Sequence, residues 1–472
     1  MQLPLVEPAP IVLEHTRAFQ DVFENRKQFR HFQNYLTGLL VLENKSMANI
    51  SRCLLDSADK TNVSRFFSQA AWFQDEVNTR RIEYLLEQTA VQRAPTTESC
   101  LILDDTLCEH VGSLFEYIDR HYNHSNNTYP LAHNVVTSHF LSHAVRFPVD
   151  ARVYRRYEEL TQWETKVQQY FPDQAIPRQK KARAQVHKEV DPTLLHDPEF
   201  SRRAAQFRTK VRLACDLVAE AMARHLPFQT VLMDSWFLAP ELLAVVAQHK
   251  KDWISLLKTN RNLEVASFTL RDPAGHPVVL PGPHIKVHDL VALLPATAYK
   301  PLTLGDTTYA CFTQTVRIPS LGPVRIVISF ANAELTGTYA VLVTNRTEWT
   351  AKQILQRYVQ RWPIETFYQD GKGPLGLAAY RMRTAEAIQK HWCLVFVAYS
   401  LAHLECLPTR PGAGTGKLPT TPIKTIGDVC RQQGQALVQA LIVYAHHLLE
   451  QGNSVQDVFA QLFAKQQVVA TS

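Results

Sequence analysis

The run RYVQRWPIETFYQDGKGPLGL sets Tyr358, Arg361, Glu365 and Lys372 at the spacing Tyr-x2-Arg-x3-Glu-x6-Lys. A helix turns by roughly 100° per residue, so offsets of 3, 7 and 14 return to nearly one side. An aromatic ring, a guanidinium, a carboxylate and an ammonium are thereby aimed at one place. A solvated helix face carrying i,i+3 and i,i+4 ion pairs has a similar spacing. The large neighbours Trp362, Ile364, Phe367 and Tyr368 argue for a buried segment instead. A carboxylate ringed by cations suits a site where the acid holds a metal ion and the bases hold a phosphate. Pro363 is expected to start or kink a helix. Gly371, Gly373 and Pro374 put Lys372 on a turn past the helix end.

At 472 residues the chain is too long for one small core, so two or three structural units are expected. A net charge of +6 is compatible with a polyanionic partner. The histidines show no HExxH spacing, and the cysteines no CxxC, so neither a zinc site nor a disulfide framework is read. Reduced core thiols in a reducing, cytoplasmic setting are expected. The N-terminus has no basic segment followed by an apolar one, and no signal peptide is read. The longest apolar run, WCLVFVAYSLA (392–402), is too short to span a bilayer, so no membrane partner is expected.

Along the chain, residues 1–12 carry three prolines and read as a loose arm, and 14–95 read as helical. Polar restarts at Lys45-Ser46 and at Asp59 make a helix-turn-helix conceivable. The texture changes at CLILDDT, a short apolar run ending in two acids, which predicts a strand. Further strands are predicted within 129–142 and 146–160. The stretch 171–192 reads as a loop or insertion, followed by one long helix over 199–225. QTVLMDSW is another strand ending in an acid, APELLAVVAQH a helix and WISLLKTN a strand. That order predicts an α/β domain with a mixed sheet. Residues 259–346 read as a β-rich insertion, and helices return near 350. From Arg178 to Arg212 ten Lys/Arg face four Asp/Glu, either a solvated face or a track for a nucleic-acid backbone. GAGTGKL (412–418) is one residue too short for a phosphate-binding loop and lacks its hydroxyl residue, so 407–422 reads as a linker before a final helical segment.

Asp105 closes the first acidic strand and Asp234 the second. Acids at two strand ends can meet at one sheet edge, and a packed helix can add Glu365. Three carboxylates are hard ligands suited to two Mg²⁺ or Mn²⁺ ions about 3.5–4 Å apart. Asp234 alone has a competing reading as a helix cap. Asp104 and Asp105 are adjacent and point to opposite faces of a strand, so one of them is expected in a shared site.

Together these segments resemble the DDE transposases of bacterial insertion sequences, in the branch bearing the Y-R-E-K signature (insertion-sequence family four and its relatives). The signature is matched without a gap by Tyr358, Arg361, Glu365 and Lys372, and TNRTEW and GLAAYRMRTAEA are similar too. The resemblance implies Asp105, before Thr106, as the first catalytic acid, with Asp234 and Glu365 as the others. It implies a ribonuclease-H-like core in two parts, 99–258 and 347–406, interrupted by the β-rich insertion. An N-terminal helical DNA-binding domain (1–98) and a C-terminal helical region (423–472) used in dimerisation are implied as well. The implied partners are double-stranded DNA, both terminal inverted repeats and target, and a second copy of the chain, in a bacterial cytoplasm at the nucleoid. Tyr358, Arg361 and Lys372 are implied phosphate contacts, and Trp349 and Trp362 are candidates for a pocket holding a flipped base. Another ribonuclease-H-like metal nuclease and a domesticated DNA-binding protein are the rival readings.

Overall fold

The computed structural model describes residues 3–55, 60–89, 91, 96–271, 274–280, 282–407 and 425–467. The linker 407–422 (Leu407 apart), the loop-like GAGTGKL and the helix start at Asp59 lie outside the described residues.

The sheet begins where the sequence changes texture. Strand β1 (Ser99–His110) pairs antiparallel with β3 (Leu131–Ser142), which pairs with β4 (Val145–Tyr154); the short β2 (Asp119–Arg120) flanks β3. On its other side β1 runs parallel to β5 (Thr230–Met233), and β5 runs parallel to β6 (Asp252–Leu256). The order β4-β3-β1-β5-β6 forms the mixed core expected of a ribonuclease-H-like fold. The β-rich insertion then continues the same sheet. Strand β12 (Tyr339–Thr344) pairs with β6, and β11 (Gly322–Phe330), β10 (Thr307–Ile318), β7 (Asn262–Glu264) and β8 (His284–Lys286) follow outward; β9 (Lys300–Leu304) joins β10. Antiparallel addition to β6 covers an edge that would otherwise expose unpaired backbone groups.

Alternation along the central strands divides the core. Leu101, Leu103, Val231 and Met233 face one apolar cluster, with Leu217 and Leu242 of the helices Lys210–Ala223 and Pro240–Gln248. Ile102, Leu232 and Ile254 face the other, with Ile354, Leu355 and Ile364 of the helices Ala351–Tyr358 and Pro363–Lys372. The split follows from the period of two in a strand.

Three local readings need correction. Over its described residues, 3–12, the stretch is no loose arm: Leu5 exchanges backbone hydrogen bonds with Cys53 and Leu55, and Ala9, Ile11 and Val12 are buried. The segment read as a loop contains the helix Lys180–Leu194, because Val186, Val190 and Leu194 recur at four-residue steps and pack with Trp163 and Phe200. The long helix over 199–225 is two helices, Pro198–Gln206 and Lys210–Ala223, with Thr209 capping the second through Arg212 N. Within the basic stretch Arg183 bonds Glu158 and Glu164, and Arg203 bonds Glu199, so part of its charge is internally paired.

The helix Ala385–Cys406 is buried nearly all round and packs both on β4 and on the N-terminal helices Arg26–Val41 and Gln74–Thr89. Arg81 is fully buried at that junction and donates to Asn78, Ser400 and the carbonyls of Pro148 and Val149. His391 lies between the Tyr35 hydroxyl (2.8 Å) and the Gly376 carbonyl (3.0 Å), and His403 Nε2 accepts from Arg146 N (3.0 Å). Burial pushes both imidazoles down to about 4 from 6.5. Their folded-state values lie below the unfolded ones, so the unfolded chain binds more protons between those limits. Their contribution is complete above pH 6.5 and is lost as pH falls towards 4. Thermal melts should therefore show a lower Tm at pH 5 than at pH 7, with a smaller difference in His403→Gln; the same pH difference in that variant contradicts this role for His403.

Candidate active site

The parallel ladder between β1 and β5 ends at the pair Leu103↔Met233, and the next residue on each chain is an aspartate. Beyond that point β1 continues to His110 along β3 alone, so its other edge is open. Asp104 and Asp234 thus follow neighbouring strands at one level. Leu103 and Met233 face the first apolar cluster, so by alternation the acids after them turn to the other face, where the helix Pro363–Lys372 lies. Asp104 sits opposite Thr137 on β3, whose hydroxyl is 2.5 Å from the Tyr368 hydroxyl of that helix.

The signature residues arrive on two helices rather than one. Tyr358 ends Ala351–Tyr358, Arg361 lies in a 3₁₀ turn, and Pro363 occupies the first turn of Pro363–Lys372, where its missing N–H costs no hydrogen bond. Lys372 is the last residue of that helix, not a residue past its end. Arg361 bridges two acids: Nη1 donates to Asp104 Oδ2 at 2.9 Å, and Nη2 donates to Glu365 Oε1. The Tyr358 hydroxyl donates to the Met233 carbonyl at 3.4 Å, and its ring lies 6.0 Å from the Arg361 guanidinium. Tyr358 thus braces the end of β5 and the arginine.

Asp105, the acid expected from the sequence, faces Val136 in the β1–β3 register and belongs to the opposite face. Lys210 Nζ, at the start of its helix, donates to Asp105 Oδ2 at 2.8 Å. Both members of the Asp104–Asp105 pair nevertheless line one cleft, contrary to the expectation that only one would, because the cleft wraps round the open edge of β1. Asp234 combines both of its readings. Its Oδ1 accepts from Trp236 N (2.9 Å) and Phe237 N (3.3 Å), and the residue also lines the cleft.

The cleft measures about 660 Å³ and takes in Asp104, Asp105, Asp234, Glu365, Lys210 and Lys372. Burial pushes the Asp104 carboxyl up to about 7, against the opposing pull of Arg361. Burial also raises Asp234, while its bonds to the Trp236 and Phe237 amides work the other way. Acids crowded in a partly desolvated site favour the arrival of positive charge. The donor set is all carboxylate oxygen, which fits a hard divalent cation rather than zinc. Among the described residues, the group of acids and histidines with ligand atoms within 4.8 Å of one another is Glu14, His15 and Glu405, remote in sequence from these acids. At the cleft, the Arg361 guanidinium stands between Asp104 and Glu365 and keeps them from closer approach.

The two tryptophans singled out from the sequence do not line this cleft. Trp349 is buried beneath Arg357 (4.4 Å) and Arg346 (5.5 Å), and Trp362 is exposed at the start of the Glu365 helix. The residues missed by sequence reasoning are Lys210 and Trp236, together with Tyr122, Asn123, His124 and Ser125 before β3. Trp236 had one available signal, a large apolar side chain in the polar turn directly after an acid-terminated strand.

A family model described as DDE superfamily endonuclease matches residues 18–288, more than half of the chain. A second, described as Transposase DDE domain, matches residues 208–401. The first match contains Asp104, Asp105 and Asp234, and the second contains Asp234, Arg361, Glu365 and Lys372. No curated protein matches the chain. An acid-lined cleft at the end of two parallel strands agrees with both descriptions: the chain belongs to the DDE superfamily endonucleases, nuclease-type enzymes that include transposases, require divalent metal ions and act on DNA.

Proposed function

We propose that this chain is a cut-and-paste transposase of the Y-R-E-K branch, which cleaves DNA at the ends of an insertion sequence and joins the freed 3′-hydroxyls to a target. The observation that carries the reading is the meeting of Asp104, Asp234 and Glu365, from three separated stretches, with Arg361 and Lys372 at one cleft. Asp104 replaces Asp105 in the proposed acid set because it shares a face with Asp234 and Glu365.

Asp104, Asp234 and Glu365 would hold Mg²⁺ or Mn²⁺, with two ions as the proposed count. Bound there, such ions lower the pKa of a water or a 3′-hydroxyl and stabilise the leaving 3′-oxygen. For the acids to close together, Arg361 must release Asp104 and Glu365, and its planar fork then suits a phosphate of the bound strand. Lys372 supplies a point charge at the same wall. Tyr358, largely buried against the Met233 carbonyl, positions Arg361 rather than touching DNA. Lys210 neutralises Asp105 and so keeps a second carboxylate from repelling the phosphates. Trp362, exposed at the start of the Glu365 helix, can meet DNA only outside the cleft. The N-terminal helical region (1–98) is proposed to recognise the terminal repeats, and a homodimer to hold two ends together.

Catalysis by a related nuclease that cuts without joining is the reading to separate. With an oligonucleotide carrying the inverted repeats that flank the coding region, wild type should cleave and then join the 3′-end to a second duplex. Asp104→Asn, Asp234→Asn and Glu365→Gln should each lower cleavage by more than about 100-fold, beyond the typical effect of outer-shell ligand changes, while end binding persists. Asp105→Asn should keep cleavage within about tenfold of wild type on the same scale. Cleavage without joining supports the plain nuclease. Full activity in Asp104→Asn together with loss in Asp105→Asn returns the site to the acid implied by the sequence.

A further inference from the structure

A second set of ligand-type side chains meets outside the acidic cleft, where the first helix reaches the end of Ala385–Cys406. Glu14 and His15 close the short helix Pro10–His15, and Glu405 is the last residue but one of Ala385–Cys406. Ligand atoms of the three lie within 4.8 Å of one another. Ile11, Val12 and His15 share the buried side of their helix, so the imidazole turns inward and Glu14 stays at the exposed rim. His15 is only 5% exposed. Its Nε2 lies 3.2 Å from Glu405 Oε1, and its Nδ1 lies 2.7 Å from the Tyr84 hydroxyl of the helix Gln74–Thr89. The Tyr84 ring stands edge-on to the imidazole at 5.8 Å, which fixes the ring's orientation. Two proton placements fit these distances. With the proton on Nε2, His15 and Glu405 form an ordinary hydrogen bond. With it on Nδ1, donated to the Tyr84 oxygen, Nε2 offers a lone pair beside two carboxylates, and a cation is what joins them. A histidine whose other nitrogen is held by a hydrogen bond is the usual form of a metal ligand. Two ligand atoms on one zinc ion, each at about 2.1 Å, lie roughly 3–4 Å apart. The separation of His15 and Glu405 already has that value.

We propose that Glu14, His15 and Glu405 form a structural site for a divalent ion of the zinc class, separate from the ions of the acidic cleft. An imidazole in the set favours Zn²⁺ over Mg²⁺, which is held by oxygen ligands. Three protein ligands leave a fourth position to water. The ion ties together side chains 390 positions apart in the chain. It joins the first helix to Ala385–Cys406, on which both the N-terminal helices and β4 pack. The N-terminal helical region is thereby fixed against the sheet that carries the acids. Unfolding scatters the three ligands, so the ion stabilises the folded chain alone. Neither DNA nor cleavage enters this role.

The test uses the full chain in excess Mg²⁺, with Zn²⁺ uptake followed by equilibrium dialysis and Tm by calorimetry. Wild type and Asp234→Asn should each hold one zinc ion that His15→Gln lacks. Glutamine keeps an amide donor for Glu405, so that variant removes the nitrogen ligand and leaves a hydrogen bond. Tyr84→Phe should lower zinc affinity by roughly 10- to 100-fold, as for other outer-shell partners. Glu14→Gln, at an exposed position, should lower it by at least about tenfold on the same scale, with its Tm in chelator equal to that of wild type. Zinc should raise the Tm of wild type by a few degrees and leave that of His15→Gln unmoved. Equal zinc uptake by wild type and His15→Gln overturns the site. Should His15→Gln fail to fold, Glu14→Gln decides, and a zinc affinity unchanged there overturns the three-ligand set. A zinc ion lost only in Asp234→Asn belongs to the acidic cleft and overturns the site as well.

Discussion

Arg361 is the cation around which the site is built. Burying carboxylates is costly unless positive charge or hydrogen bonds accompany them. Asp104, at the end of a closed ladder, is desolvated enough to hold its proton near neutrality. Glu365 comes from a helix packed against the same sheet. One planar guanidinium satisfies both, and Tyr358 braces it from below against the end of β5. Without that cation the sheet end and the helix would present two acids to each other. On the proposed reading the guanidinium would leave the two carboxylates for a phosphate, and those carboxylates would then be free to hold divalent cations.

The rest of the molecule holds those two surfaces in register. The helix Ala385–Cys406 lies between β4 and the N-terminal helices, and its apolar surface is shared with residues as distant as Phe19, Phe32 and Trp72. Arg81 ties that junction with bonds to backbone carbonyls of the β4 strand and to Ser400. The insertion strands extend the sheet from β6 without covering the ends of β1 and β5. The open edge of β1 beyond Leu103 is therefore left as the floor of the cleft.

The sequence displayed the architecture more clearly than the detail of the site. Apolar runs ending in acids marked β1 and β5, because a buried strand must end where polar groups begin. Strand alternation also said that Asp104 and Asp105 diverge. Which of them faces Glu365 depends on the β1–β5 register, Leu103↔Met233, and on the face the Glu365 helix covers. Neither is local information, and resemblance to the Asp-Thr motif favoured Asp105. Lys210 was hidden because a long helix was read through Phe207–Thr209, whereas the cap at Thr209 makes Lys210 a first-turn residue beside the cleft. The helix Lys180–Leu194 was obscured by charge and by Pro192, although its apolar residues keep a four-residue step.

The central claim is that Asp104, Asp234 and Glu365, rather than Asp105, close on divalent cations. Mn²⁺ binding followed by electron paramagnetic resonance tests it without DNA or turnover. The account predicts Mn²⁺ bound by wild type and by Asp105→Asn, with binding lost or strongly weakened in Asp104→Asn and in Glu365→Gln. Unchanged Mn²⁺ affinity in Asp104→Asn, with loss in Asp105→Asn, would contradict it.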